Sequence, residues 1–498
     1  MKASKLALLL LILGVGGSIE TAWSVKHRVG FLPMGCRVLT GRFQGPSYSF
    51  ESSETHEAQG VRALRVENAF GQVLVRAGEP GTLALGLRKV VYRPTEAQAR
   101  AFAERIRAGV TIEGETLKVV VNRREVENLE EGRDVGFETH LELQVPPGLE
   151  VKVQNEHGRV EVADALAAAV WTSYEPVRLE RIGGNASVDS RHGDVRVLGA
   201  KGDVEVTARY GTVELKDVAG RASVSSEHGD VGVARTGPLQ ATLRYGDLDA
   251  EDVGSLEVDG QQSAVHAREV KGNARVETSY RDVTLTRVGG DARVRSEHGS
   301  VSASEIAGSL EARASYDRIE ARGVSGAVVA EIEHGGFSGR DLARGARVKA
   351  SGEDVLLEGF EGPVSIEVER GGATLAPLVA LGDSIDVRAS FGGIRLELPA
   401  GSRLELDATA EHGSIDAKLE GLTISEASEH RLRARLGQGG PRVTLATQSA
   451  DVELVAGGTP RPSARTRRTA PTLPAAPEAP SVPSAPGAPK APASPSER

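Results

Sequence analysis

A chain of 498 residues could hold two or three ordinary domains, but only 4% of it is aromatic, glycine supplies 59 residues, and its apolar content is chiefly Val, Leu and Ala. Such a composition is too poor in large rings for one big globular core and suits thin, stacked β layers. The net charge of −9 comes with both signs interspersed, so no sustained basic surface is offered to nucleic acid.

Residues 1–24 read as an export signal. Lys2 and Lys5 precede the apolar run Leu6 to Gly17, and Ala22 and Ser24 are small residues near a cleavage point. A run of about 12 residues is shorter than the roughly 20 that a helix needs to span a bilayer, which favours cleavage. Glu20 and Trp23 interrupt the small-residue site, so the alternative is a retained signal anchor, which would be the chain's one membrane contact. Cys36 is the only cysteine and excludes an intrachain disulfide. Pro33, three places before it, argues against lipid attachment. The chain is therefore expected to be exported: periplasmic, cell-surface or secreted. Residues 25–59 are read as an irregular N-terminal segment.

Residues 60–150 form a capping region of strands and a helix, continuous with the repeats that begin at 151. "LRVENAFGQVLVRAG" reads as an opening strand pair. From Pro94 to Gly109 the apolar positions Ala99, Phe102 and Ile106 have helical spacing, with Thr95 as the start and Gly109 as the stop. Such a helix would cap the first turns of a repeat array, which solenoids need for solubility.

From 151 to 457 the chain repeats itself. Rows such as "SRHGDVRV", "ARYGTVEL", "SEHGDVGV" and "LRYGDLDA" succeed one another about 18 residues apart, and the last rows drift to about 21, which reads as small insertions. Each row holds two short alternating runs, for example Val195 with Val197, Val204 with Val206, Val213 with Leu215, and Ala222 with Val224. Alternation of period two means strands with one buried face. A period near 18 is too short for helix-pair repeats or propeller blades, so each row becomes one coil of an all-β parallel solenoid. About 15 such coils at ~4.8 Å each give a rod on the order of 70 Å long.

One position in each row is a flat ring: His157, Tyr174, His192, Tyr210, His228, Tyr245, Tyr280, His298, Tyr316, His334 and His412. In register one coil apart, such rings stack as a ladder. Glycine often comes next, at Gly158, Gly193, Gly211, Gly229, Gly246, Gly299, Gly335 and Gly413. A corner needing positive φ, or a close approach of two backbones, explains it. Alternation from Val204, Val206 and Ala208 places Tyr210 on the inward side, up to the turn immediately after it. The preceding position should point outward, where Arg209, Glu227 and Arg244 succeed one another and fix the register by charge.

The rings carry no metal or catalytic expectation, and no cofactor is called for. Ladder histidines stand two coils apart, about 9.6 Å. Two nitrogens on one zinc ion must lie within roughly 4 Å of each other. "HGD" at His192 to Asp194 and at His228 to Asp230 suggests an acid–base pair, but other rows place Arg159, Ser300, Gly336 or Ser414 after the glycine. A catalytic constellation is one special place, and this frame recurs. No phosphate loop, nucleophile elbow or zinc signature is present.

Residues 458–498 form a Pro/Ala-rich tail read as disordered. Proline stands at every third residue from Pro471 to Pro495, so a polyproline II helix would present the prolines on one face. It reads as a spacer; the sharper alternative is a semi-rigid stalk that crosses a crowded envelope layer or docks an aromatic groove.

Together the signal-like start, the irregular opening segment and rows such as "HGDVRVLGAKGDVEVTARYGTVEL" resemble the bacterial exported "putative adhesin" family, a domain of unknown function built from short β-strand repeats. The resemblance covers roughly residues 60–455. It implies a single-stranded, right-handed parallel β-helix and no established catalytic residues. The function expected is that of a non-enzymatic cell-envelope protein, adhesin-like in binding or scaffolding. Its partners would be envelope or extracellular proteins or a glycan surface. Two alternatives stand beside it: a periplasmic, membrane-anchored sensor or regulatory module, and a carbohydrate-active β-helix enzyme.

Overall fold

The computed structural model describes residues 46–129 and 136–457. The export segment, Cys36 and the proline-rich tail lie outside the described residues. Among the described residues no helix is long and apolar enough to cross a membrane.

The chain is all-β, an array of about 14 turns with coils of about 18 residues, and among the described residues only two short helices accompany it. One coil shows why the sequence winds this way. Ala186–His192 is a strand, Gly193 and Asp194 turn the chain, Val195–Ala200 is a second strand, and residues 201–203 turn it again. The next coil then starts at Val204, directly over Ala186. Val188, Val206 and Val224 fall in parallel register on one sheet, and Val197, Leu215 and Val233 on the other. All six are buried between the sheets. Fully burying such a side chain contributes about 1.5–3 kcal/mol, and here that burial depends on the coils above and below.

Strict alternation fails once per coil. In Val213–Val218 the buried residues are Val213, Leu215 and Val218, so Lys216 and Asp217 both face out. Asp217 takes φ 58°, and the same place in other coils holds Asp164, Arg181, Arg235, Asp252, Glu269, Arg287, Glu305 and Asp341, all with positive φ. Each left-handed residue costs roughly 1–2 kcal/mol without glycine. Some are tied to their neighbours: Arg181 clasps Asp164 at 2.7 and 2.9 Å, and Arg235 clasps Asp217 at 2.6 and 3.0 Å. This bend lets Val218 point inward and close the coil.

Coils at the two ends do not follow chain order. At the N-terminal end, Ala63–Phe70 lies between Thr116–Val121 and Glu150–His157, and Val73–Ala77 lies between Phe137–Val145 and Val160–Ala163. At the other end, Arg442–Thr447 lies between Ile385–Ala389 and Leu404–Ala410. Its partner Val452–Ala456 lies between Ile394–Leu398 and Ile415–Lys418. The first long step, from Val364 to Ile385, joins coils that stack directly, so a small insertion accounts for it as expected. The next is a change of stacking order, with the last coil inserted beneath the one before it.

Antiparallel strands finish both ends and occupy part of the open sheet edges. Ser47–Glu57, within the stretch expected to be irregular, pairs with Thr82–Tyr92, which pairs with Phe137–Val145. Arg431–Leu436 runs antiparallel on Leu404–Ala410 and carries Leu422–Ala427. Helix α1 (Glu96–Ala103) starts as expected: the Thr95 hydroxyl accepts from the Gln98 N–H at 3.4 Å, and Glu96 lies in the first turn. It stops well short of Gly109, which belongs to the strand Ala108–Glu113. That strand pairs antiparallel with Thr116–Val121, and this pairing ends the helix. With α2 (Arg123–Leu129), the helix encloses a small second core of Val91, Ala99, Phe102, Ile106, Val126 and Phe137.

Candidate functional site

The coil corner between the two sheets carries the rings. Phe70 stacks on His157 at 4.2 Å between centroids, and His157 on Tyr174 at 4.4 Å with planes 5° apart. The column continues through His192, Tyr210 and His228 to Tyr245 at 4.8–5.1 Å, with planes within 9° of parallel. A second stack of Tyr280, His298, Tyr316 and His334 comes after it at 4.5–4.9 Å. Between the stacks stands Gln262, in register with Tyr280.

Two residues of this column depart from the sequence reading. Phe70 opens the ladder although it is neither His nor Tyr. Its signal was the frame "FGQV", which has the spacing of "HGRV" at His157. His412, by contrast, stacks on no ring among the described residues. Because the last coils change order, its register neighbour is Ser449, in the coil that returns beneath it. Across the coil boundary its backbone N–H donates to the Gln448 carbonyl at 2.9 Å.

The rings also face outward, not into the core. Ala208 is buried, whereas Tyr210 is 43% exposed. The chain turns at Gly211, where φ is 116°, and this carries Tyr210 off the inward face onto the corner ridge.

Each of the eight expected corner glycines meets a close backbone. A Cβ at Gly158, Gly193, Gly211, Gly229, Gly246, Gly299, Gly335 or Gly413 would come well under 3.0 Å from a carbonyl of a neighbouring coil. Only Gly158, Gly193 and Gly211 have positive φ, so close approach is the common cause. The demand is lighter in some tyrosine rows, where Glu175, Arg281 and Asp317 take the same place.

The aspartate of "HGD" has a structural partner. Asp194 Oδ1 accepts from the Thr212 N–H of the next coil at 3.0 Å, and Asp230 Oδ1 from the Asp247 N–H at 3.0 Å. Asp282 receives both the N–H and the hydroxyl of Ser300 at 2.9 Å. Inside the same corner, the buried hydroxyls of Ser226 and Ser296 donate to the Gly229 and Gly299 carbonyls at 3.0 Å. The turn's polar backbone is thereby satisfied coil by coil.

Outward charges run beside the ridge. Arg209 donates to Glu227 one coil away at 2.8 Å, and at the far end of the same sheet's strands Arg293 donates to Glu311 across one coil at the same distance. The Arg293 guanidinium holds the Glu311 carboxyl below its ordinary range. Exposed pairs of this kind contribute about 0.2–1 kcal/mol each and serve register more than stability.

The arrangement limits its own chemistry. Within each stack a tyrosine ring separates each histidine from the next, so successive imidazoles there cannot share an ion. Within a stack, ring faces are occupied by one another, and phenol hydroxyls and imidazole edges are what the ridge presents outward. Beside it runs a shallow polar groove with Arg191, Thr207, Arg209, Thr242 and Arg244 in its lining. From Gly158 to Gly372 the turns between strands are two to four residues long.

No family model matches the chain, and no curated protein matches it. Among solved structures, a "putative cell adhesion protein" from Clostridium sporogenes aligns at 7% identity and a TM-score of 0.16, over 82% of this chain and 100% of that one. The chain's own geometry therefore carries the functional reading: a β-solenoid with a rail of ring edges along one corner.

Proposed function

We propose that the protein is a non-enzymatic, exported cell-envelope solenoid that binds or scaffolds through its long corner ridge, with an envelope protein, an extracellular protein or a glycan surface as partner. The observation that carries this reading is the repetition of one outward chemistry over many coils with turns of only two to four residues. Contacts spread along columns, where a hydroxyl and an imidazole edge alternate about every 4.8 Å beside paired charges, suit an extended partner better than a small substrate.

The test is to immobilise the full chain and measure binding to envelope proteins, extracellular-matrix proteins and arrayed glycans, with localisation by fractionation. A combined Tyr174→Phe, Tyr210→Phe and Tyr316→Phe variant removes three hydroxyls while keeping the stack. Binding reduced about tenfold with an unchanged circular dichroism spectrum supports the reading. Undiminished binding, or release of reducing ends from an offered polysaccharide, overturns it.

A further inference from the structure

The interrupted ring column points to a ligand site that the repeat itself defines. Among the described residues Tyr245 stacks only on His228, at 5.0 Å, and Tyr280 only on His298, at 4.7 Å. The next ring place after Tyr245 belongs to Gln262, one coil on from Tyr245 and one coil before Tyr280. One face of each tyrosine therefore looks toward the other across two coil steps, about 9.6 Å. That is the thickness taken elsewhere by one imidazole between two phenols: His192, His228 and His298 each sit there at 4.5–5.1 Å from both neighbours.

Two further features set this corner apart. Tyr245 and Gln262 have φ of 63° and 57°, whereas no other ring of the column has positive φ. The glycine place is taken by the fully buried Ser263, whose carbonyl accepts from the Thr278 hydroxyl at 2.8 Å. In addition, Arg281 reaches past the Gln262 coil to Asp247, with the guanidinium 3.0 Å from the carboxylate. This bridge joins the two tyrosine coils directly, holding their separation and placing a charged rim beside the gap.

We propose that the gap between Tyr245 and Tyr280 is a binding slot for one planar nitrogen heteroaromatic ring of imidazole size. The electron-rich faces of two phenols favour a flat, electron-poor or cationic ring between them. A saturated ring is too thick and has no π face. The alternation of the column names the same guest, since every other place between two tyrosines holds a histidine.

The full chain with 13C-labelled tyrosine rings is titrated with imidazole at fixed pH, with N-acetyl-histidinamide as the side-chain form and pyrrolidine as the saturated, cationic control. Tyr245→Phe and Tyr280→Phe assign the two resonances. Saturable shifts confined to Tyr245 and Tyr280, absent with pyrrolidine and abolished in Gln262→His, are expected. The Gln262→His chain fills the slot from within and should show the ring-current shifts without ligand. A free-ring guest shows with imidazole alone, and a side-chain guest shows with both aromatic probes. Equal shifts at all tyrosines, an equal response to pyrrolidine, or undiminished imidazole binding in Gln262→His overturns the proposal.

Discussion

The Arg123 guanidinium lies 4.2 Å over the ring of Phe70, and 4.3 Å from that of Phe137. It closes the first ring stack with a cation, while its Nε contacts Glu127 at 2.7 Å and an Nη donates to the Phe137 carbonyl at 2.9 Å. Arg123→Ala should destabilise the N-terminal end by about 2–3 kcal/mol, since it removes a buried cation–π contact and leaves a carbonyl without its donor. Hydrogen exchange localises the effect. Protection should fall around residues 63–77, 116–129 and 136–145 and hold in the central coils.

Gly229 faces the Gly211 carbonyl of the preceding coil, whereas nothing lies within 4 Å of a Cβ at Gly232. Gly229→Ala should cost about 2–4 kcal/mol by forcing two backbones apart. Gly232→Ala, on an outward strand position, should be neutral or stabilising by up to about 1 kcal/mol. Denaturant midpoints of the two variants decide the matter, and equal midpoints would remove close approach as the reason for the glycine column.

Asp194→Ala takes the acceptor from the Thr212 N–H. A loss of about 1 kcal/mol is expected, because the exposed corner lets water replace part of the bond. Asp194→Asn keeps the Oδ1 acceptor and should lose less than half of that. An equal loss in both would point to the charge instead of the hydrogen bond.

Acid should weaken the N-terminal end through Glu138. Its carboxyl is held below the usual range first by the His140 hydrogen bond, against the opposing effect of burial, and also by the Tyr92 hydroxyl. A depressed folded-state pKa gives stability that is present above the unfolded value of about 4.3 and lost as pH falls through the folded one. Unfolding midpoints measured downward from pH 5 should drop less steeply in Glu138→Gln than in the parent. Identical slopes would contradict the assignment.

The sequence displayed the period, the paired strands, the ring column and the glycines, because each recurs at fixed spacing and each recurrence has one physical cause. Stacking order at the ends was not legible. The rows of Val206, Val387 and Leu445 carry the same apolar pattern, so any could sit on any other with equal burial. "EHGSIDA" at His412 looks like an internal row for that reason. The left-handed bend was hidden because Asp, Glu, Arg and Gly share it; the two outward residues between Leu215 and Val218 were the sign available. The row of Gln262 shows no ring in the sequence, but only the stacking of its neighbours shows that Tyr245 and Tyr280 have no ring between them.

The insertion of the last coil beneath its predecessor bears on how the chain responds to tension. Val452–Ala456, the final described strand, is hydrogen-bonded on both sides, to Ile394–Leu398 and to Ile415–Lys418. A pull on the carboxyl end must break two ladders together before any coil is freed. At the other end, Ser47–Glu57 pairs, among the described strands, only with Thr82–Tyr92 and can peel away bond by bond before the force reaches the enclosed strand Ala63–Phe70. Single-molecule extension should therefore show a low-force step from the amino end and a clamp at the carboxyl end, which makes the latter the stronger point of attachment.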